Sequence, residues 1–210
     1  MEKNKTTIVF SGGCFSGKTT SIDSIYANYD GECIKLSELI RDENYVSIDN
    51  IRANPHEYLQ LQKKVIKKKI DQELSIANIL DDTVVLIDRS IADSIFYLTF
   101  YVDKHALSSD DLNDLYDLYK YASAHAQFMY KRVYSYVLLF KPLWLSCNDA
   151  KFRPGSINSV SKYLEYDLIK ASNLAYTHEL IDVDLNKTPT LFSDKQSCNN
   201  FINSLKYGRF

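Results

Sequence analysis

One eight-residue loop limits what this chain can fold into more than any other feature. Gly12-Gly13-Cys14-Phe15-Ser16-Gly17-Lys18-Thr19 lies between the short apolar run Thr7–Phe10 and a helix-compatible run from Thr19 to Tyr29. It has the Walker A spacing, and strand, loop and helix arrive in the order that pattern requires. Its glycines let consecutive backbone N–H groups curl round phosphates, and the helix behind adds the positive end of its dipole. The loop and the residue after it, Thr20, are therefore predicted to cradle the phosphates of ATP or GTP, with magnesium. Lys18 supplies a point charge, and the Thr19 hydroxyl is placed to ligand the metal. Cys14 is either a small residue filling the loop or a redox-sensitive thiol near a helix start.

The rest of the chain fits a sheet built round that loop. Further apolar runs of strand length stand at Cys33–Leu36, Val84–Ile87, Tyr136–Phe140 and Leu180–Val183, each too continuous for a half-exposed strand, with helical segments between them. That alternation predicts an α/β fold, a central parallel five-stranded sheet flanked by helices. Asn54-Pro55-His56-Glu57 carries a cap, a first-turn proline and a capping-box acid for a helix reaching about Leu80. A second helix start lies at Ser108-Ser109-Asp110-Asp111, and Arg153-Pro154-Gly155-Ser156 breaks a loop running from Trp144 to Asn158. The 210 residues are read as one domain, with a core over about 6–184 and a polar extension, 185–210, that packs outside with a short helix from Gln196 to Leu205.

Composition narrows the setting. A formal charge of −2 gives no overall positive field to hold nucleic acid. Four cysteines, Cys14, Cys33, Cys147 and Cys198, are widely spaced, which fits reduced thiols in a cytoplasmic protein rather than a disulfide framework. The first residues run into a strand without a long apolar stretch, so neither a signal peptide nor a membrane span is expected. None of His56, His105, His125 and His178 has metal-ligand spacing, which leaves magnesium arriving with the nucleotide as the metal.

Charged residues directly after apolar runs mark the sheet's carboxyl edge. Asp88, after Val84–Ile87, takes the position from which a carboxylate holds magnesium, and Arg89 can reach an acceptor or the transferring phosphate with its planar fork. A helix cap beside an exposed arginine is the plainer alternative. After the second strand, Glu38 and Arg41 stand one helical turn apart, either as a surface ion pair or as substrate contacts, with Glu38 accepting a hydroxyl proton. Asp93, an i, i+4 step beyond Arg89 on the same helical face, either orients that guanidinium, binds the acceptor, or forms a helix-surface pair with it. Phe96, Tyr97, Phe100 and Tyr101 are core residues or a stacking surface for a planar base.

These residues resemble the P-loop kinases that include the nicotinamide riboside kinase domain of the bifunctional NAD-biosynthesis regulator and, more distantly, thymidylate and deoxynucleoside kinases. The resemblance spans roughly residues 6–184. It is carried by the loop from Gly12 to Thr19, by Glu38 with Arg41, and by Gln60 or Gln62 with Glu73 on the long helix. Asp88-Arg89-Ser90 with Asp93 and Tyr97, and Arg153 in the late loop, complete it. It implies phosphoryl transfer from ATP to a nucleoside, a nucleoside monophosphate or nicotinamide riboside, with Arg153 entering from a short lid and a homodimer as a common assembly. That lid carries Arg153 with only Lys151 near it, and the second strand end lacks the Glu-Pro pattern of many thymidylate kinases.

Two other classes stay open at this level. The run Lys63-Lys64 and Lys67-Lys68-Lys69 could track a nucleic-acid backbone in a DNA-associated ATPase or nucleic-acid kinase, or be a solvated helix face balanced by Asp71 and Glu73. A regulatory NTP switch would use the same loop, although no Asn-Lys-x-Asp guanine signature is present.

Overall fold

The strands β1 (Thr6–Gly12), β2 (Cys33–Leu36), β3 (Val84–Asp88), β4 (Tyr136–Phe140) and β5 (Thr190–Phe192) form one parallel sheet in the order β2-β3-β1-β4-β5. The computed structural model describes residues 5–12, 17–39, 54–100, 102, 104–140 and 190–192. Helices α1 (Lys18–Asn28), α2 (Pro55–Leu74), α3 (Ile91–Phe100) and α4 (Ser109–Arg132) link and cover the strands.

Alternation along the central strands divides the core into two layers. Val9, Val85, Ile87 and Val137 point to the face covered by α2, α3 and α4. Ile8, Phe10, Leu86 and Leu138 point to the face covered by Ile22 and Ile25 of α1. A strand buried on both faces must be apolar throughout, which is why β1 and β3 show no polar alternation. Each such side chain contributes about 1.5–3 kcal/mol by leaving water. Strand β2 is instead half-exposed along its length, because among the described residues it stands at the sheet's edge and pairs with β3 alone. The expectation that Cys33–Leu36 would be fully covered is corrected accordingly.

Both predicted helix starts are present. Asn54 Oδ1 accepts from Glu57 N at 3.3 Å, and Ser108 Oγ accepts from Asp111 N at 3.1 Å. Helix α2 ends at Leu74 rather than near Leu80. Ser75 donates to the Gln72 carbonyl at 2.6 Å, and the chain tightens into a 3-10 turn over Ser75–Asn78. Among the described residues no helix is long and apolar enough to cross a membrane.

The fifth strand is Thr190–Phe192, in register with Leu138–Phe140. It falls within the polar stretch read as packing outside. The run Leu180–Val183, the loop 144–158 and the helix expected over 196–205 lie outside the described residues.

Candidate functional site

The loop's two ends show why its terminal glycines are glycines. Gly12 has φ +137, and a Cβ there would stand 2.5 Å from the Phe140 carbonyl oxygen of the neighbouring strand, so no side chain fits. Gly17 has φ +85 and precedes α1 with no side chain to cap it. The first N–H groups of α1, where Lys18 begins, therefore face the loop without a capping oxygen from that position, an arrangement suited to an anion. Gly13, Cys14, Phe15 and Ser16 lie outside the described residues.

At the other side of that helix start, the Thr19 hydroxyl donates to Asp88 Oδ2 at 3.0 Å. Asp88 is 2% exposed, and its second oxygen, Oδ1, is buried with no hydrogen-bond partner among the described residues. A buried, unmatched carboxylate oxygen is costly unless something cationic meets it. A hydroxyl and a carboxylate side by side at a phosphate loop form an all-oxygen donor set suited to magnesium, so the residues present fit that ion.

Arg89 follows in a left-handed conformation, φ +67, which costs a non-glycine residue about 1–3 kcal/mol. Its backbone N–H donates to the Phe10 carbonyl at 3.0 Å, continuing the ladder beyond the strand. The turn directs its guanidinium across the sheet edge. Nε lies 2.6 Å from Glu38 Oε1, an Nη1 N–H donates to the Tyr97 hydroxyl at 2.7 Å, and the guanidinium carbon stands 5.0 Å from the Tyr97 ring centre. The ion pair joining the ends of β2 and β3 is mostly buried, with side-chain exposures of 9% for Arg89 and 11% for Glu38. Glu38 thus meets Arg89. Arg41, its expected neighbour on a common helical face, lies outside the described residues, as does Arg153.

Asp93 is brought to the same place by a different relation from the helical step expected between it and Arg89. Arg89 precedes helix α3, and Ser90 caps it, accepting from Ala92 N at 3.2 Å. Asp93 reaches back, its Oδ2 accepting from Ser90 N at 2.8 Å, while its Oδ1 accepts from the Ser11 hydroxyl at 2.7 Å. This is a capping box with aspartate at the third position, tied to the strand that enters the phosphate loop.

A cleft opens between these elements. Glu38 and Leu39 line it from the end of β2, and Asp88, Arg89, Asp93 and Tyr97 from β3 and α3. Gln62, Val65 and Lys69 form the opposing wall, one face of α2 at i, i+3 and i+7. Gln62 is 2% exposed, and its Oε1 has no hydrogen-bond partner among the described residues. Phe96 is core, whereas Tyr97 reaches the cleft. The side chain of Phe100 and Tyr101 lie outside the described residues.

The lysine run of α2 is not one solvated face. Lys63 is ion-paired to Asp114, and Lys69 is buried. Burial pushes the Lys69 pKa below the ordinary lysine value, while the charges of Glu73, Asp93, Asp88 and Glu38 oppose that shift. Glu73, read as a balancing surface acid, is 1% exposed. Its Oε1 accepts from Ile91 N at 2.9 Å and from the Tyr134 hydroxyl at 2.6 Å, and His125 Nε2 lies 2.9 Å from its Oε2. The helical spacing of Gln62, Ile66, Lys69 and Glu73 is the signal that could have turned these polar residues inward.

A model of the AAA domain family matches residues 7–184. No curated protein matches the sequence. Among solved structures the fold is similar to that of deoxyadenosine kinase from M. mycoides with bound dATP, at a TM-score of 0.61 and 15% identity over 95% of this chain and 99% of that one. It is also similar to the NadR protein in complex with NR, at a TM-score of 0.60 and 14% identity, where 96% of this chain matches 50% of that chain. At such identities the likeness is one of fold. The family match is broader in kind, running from the first strand past the phosphate loop and both acidic strand ends, and the chain belongs to the AAA domain family.

Proposed function

We propose that this protein is a cytoplasmic, magnesium-dependent kinase that moves the γ-phosphoryl group of ATP to a hydroxyl of a nucleoside- or nucleotide-type small molecule. One observation carries the reading. Asp88, hydrogen-bonded to Thr19, keeps a buried oxygen unmatched at the point where the phosphate-loop helix meets the cleft. Thr19 and Asp88 would hold magnesium there, and the ion would neutralise charge on the nucleotide phosphates.

The chain's own residues divide the remaining work. Lys18, in the first turn of α1, takes the phosphates. Glu38 accepts the hydroxyl proton of the acceptor as its oxygen bonds to phosphorus and the bond from phosphorus to the ADP oxygen breaks. Arg89 holds Glu38 in place and offers its fork to the transferring group. Gln62 faces the acceptor with an oxygen awaiting a donor. Arg153 and Arg41 join the site as the resemblance implies. The similar folds of a deoxyadenosine kinase and of a protein solved with NR support an acceptor of this class.

The test is transfer of label from γ-labelled ATP, with magnesium, to a panel of nucleosides, nucleoside monophosphates, nicotinamide riboside and hydroxylated oligonucleotides. Label is expected on a small acceptor and is expected to be lost in Lys18→Ala. Equal affinity for ATP and ADP with no acceptor labelled would instead favour a regulatory switch.

A further inference from the structure

Helix α3 carries Tyr97 one turn beyond Asp93, on the face that meets the cleft. The helix is held at both ends. Asp93 ties its first turn to Ser11 and Ser90. At the other end the Tyr58 hydroxyl of α2 donates to the Tyr97 carbonyl at 3.0 Å, meeting one of the acceptors that a helix leaves open in its last turn. Among the described residues Tyr97 is the one aromatic side chain lining the cleft. Its neighbours Phe96 and Leu98 are buried and supply the core at this point. Packing alone asks for no hydroxyl at position 97.

That hydroxyl meets Arg89. The Tyr97 oxygen accepts from Arg89 Nη1 at 2.7 Å, and the ring centre lies 5.0 Å from the guanidinium carbon, within the range where a ring face attracts a cation. Nε of the same fork lies 2.6 Å from Glu38 Oε1. A planar guanidinium held at two nitrogens and against a ring has its plane fixed. Removing the tyrosine removes two of these three restraints from a long side chain that leaves a left-handed turn. An arginine already held when the substrate arrives has no rotamer freedom left to lose at the moment of transfer, the condition under which fixed charge acts on the transition state.

We propose that Tyr97 is a positioning residue of the transfer site, its hydroxyl and ring together holding the Arg89 fork in the orientation from which it grips Glu38 at the edge of the cleft. Tyr97 acts through Arg89 and touches neither nucleotide nor acceptor in this role. The proposal rests on the kinase reading above, in which Glu38 and Arg89 do the work.

The experiment measures steady-state kinetics, with the acceptor that the wild type labels, for Tyr97→Phe and Tyr97→Leu, each made alone and together with Arg89→Lys. If the wild type labels no acceptor, it is the kinase reading that fails, and the role of Tyr97 falls with it. Tyr97→Phe, which keeps the ring and loses a hydrogen bond to a charged group, should lower kcat about tenfold. Tyr97→Leu, which loses both contacts, should lower it about a hundredfold. In each the KM for ATP should stay within about twofold. Arg89→Lys keeps the charge but lacks the fork, so adding Tyr97→Phe to it should cost less than about twofold. A tyrosine acting only through the packing of α3 would cost the same factor in both backgrounds. That result, an unchanged kcat in Tyr97→Phe, or a raised KM for ATP alone would overturn the proposal. Should the leucine variant not fold, Tyr97→Phe decides through the same comparison of backgrounds.

Discussion

Glu73 and Asp88 are acids of nearly equal burial, 1% and 2% exposed, and both stand at the entry to α3. Their oxygens meet different surroundings. Glu73 is engaged on both sides, with Ile91 N and Tyr134 on one oxygen and His125 on the other. It fastens α2 to the start of α3 and, through His125 and Tyr134, to α4 and the turn before β4. Asp88 has one oxygen on Thr19 and one without a partner among the described residues. A buried carboxylate with its lone pairs satisfied belongs to the architecture, whereas one with an open oxygen beside a phosphate loop is poised for a ligand.

The sharpest way to break that contrast is to substitute each acid in turn. Asp88→Asn keeps the shape and removes the charge. It should lower kcat by about two to three orders of magnitude while leaving the melting temperature unchanged or higher, since an incompletely matched buried charge has gone. A parallel loss of stability would make Asp88 architectural as well. Glu73→Ala should do the reverse, costing about 3 kcal/mol or more in urea unfolding because it strands two buried donors, Ile91 N and the Tyr134 hydroxyl, and takes away the partner of His125, with the KM for ATP unchanged in the folded fraction.

A smaller effect sharpens the Glu73 side. Burial, and then the Glu73 charge and hydrogen bond, hold the Tyr134 pKa well above the ordinary tyrosine value of 10.0. The folded protein therefore keeps a proton that the unfolded chain releases. The stability this contributes is complete below the unfolded value and is lost as pH rises towards the folded one. The stability difference between wild type and Tyr134→Phe, about 1 kcal/mol near neutrality, should accordingly shrink as pH is raised through about 10. A difference that grows over that range would contradict the network.

Much of this site is legible in the sequence because its parts sit where apolar runs stop. Lys18, Thr19, Asp88 and Glu38 follow strands whose burial leaves little choice of register, and the parallel order brings those ends to one edge. What is not legible depends on turns and on helix rotation. Arg89's left-handed φ takes it out of the helix that spacing alone would give it, so its partners become Glu38 and Tyr97. Lys69 and Glu73 read as solvated because charged residues usually are, yet the rotation of α2 carries them inward. Strand β5 has three residues in a polar stretch, too short for any period to show.

The most direct measurement is the affinity of ATP for the wild type and for Asp88→Asn, titrated against magnesium at fixed ionic strength, with both proteins shown to be folded by thermal melting. A strong rise in wild-type affinity with magnesium, flattened in Asp88→Asn at an unchanged melting temperature, is the expected result. Equal magnesium dependence in the two proteins would contradict the assignment of Asp88 and, with it, the reading of this edge as a phosphoryl-transfer site.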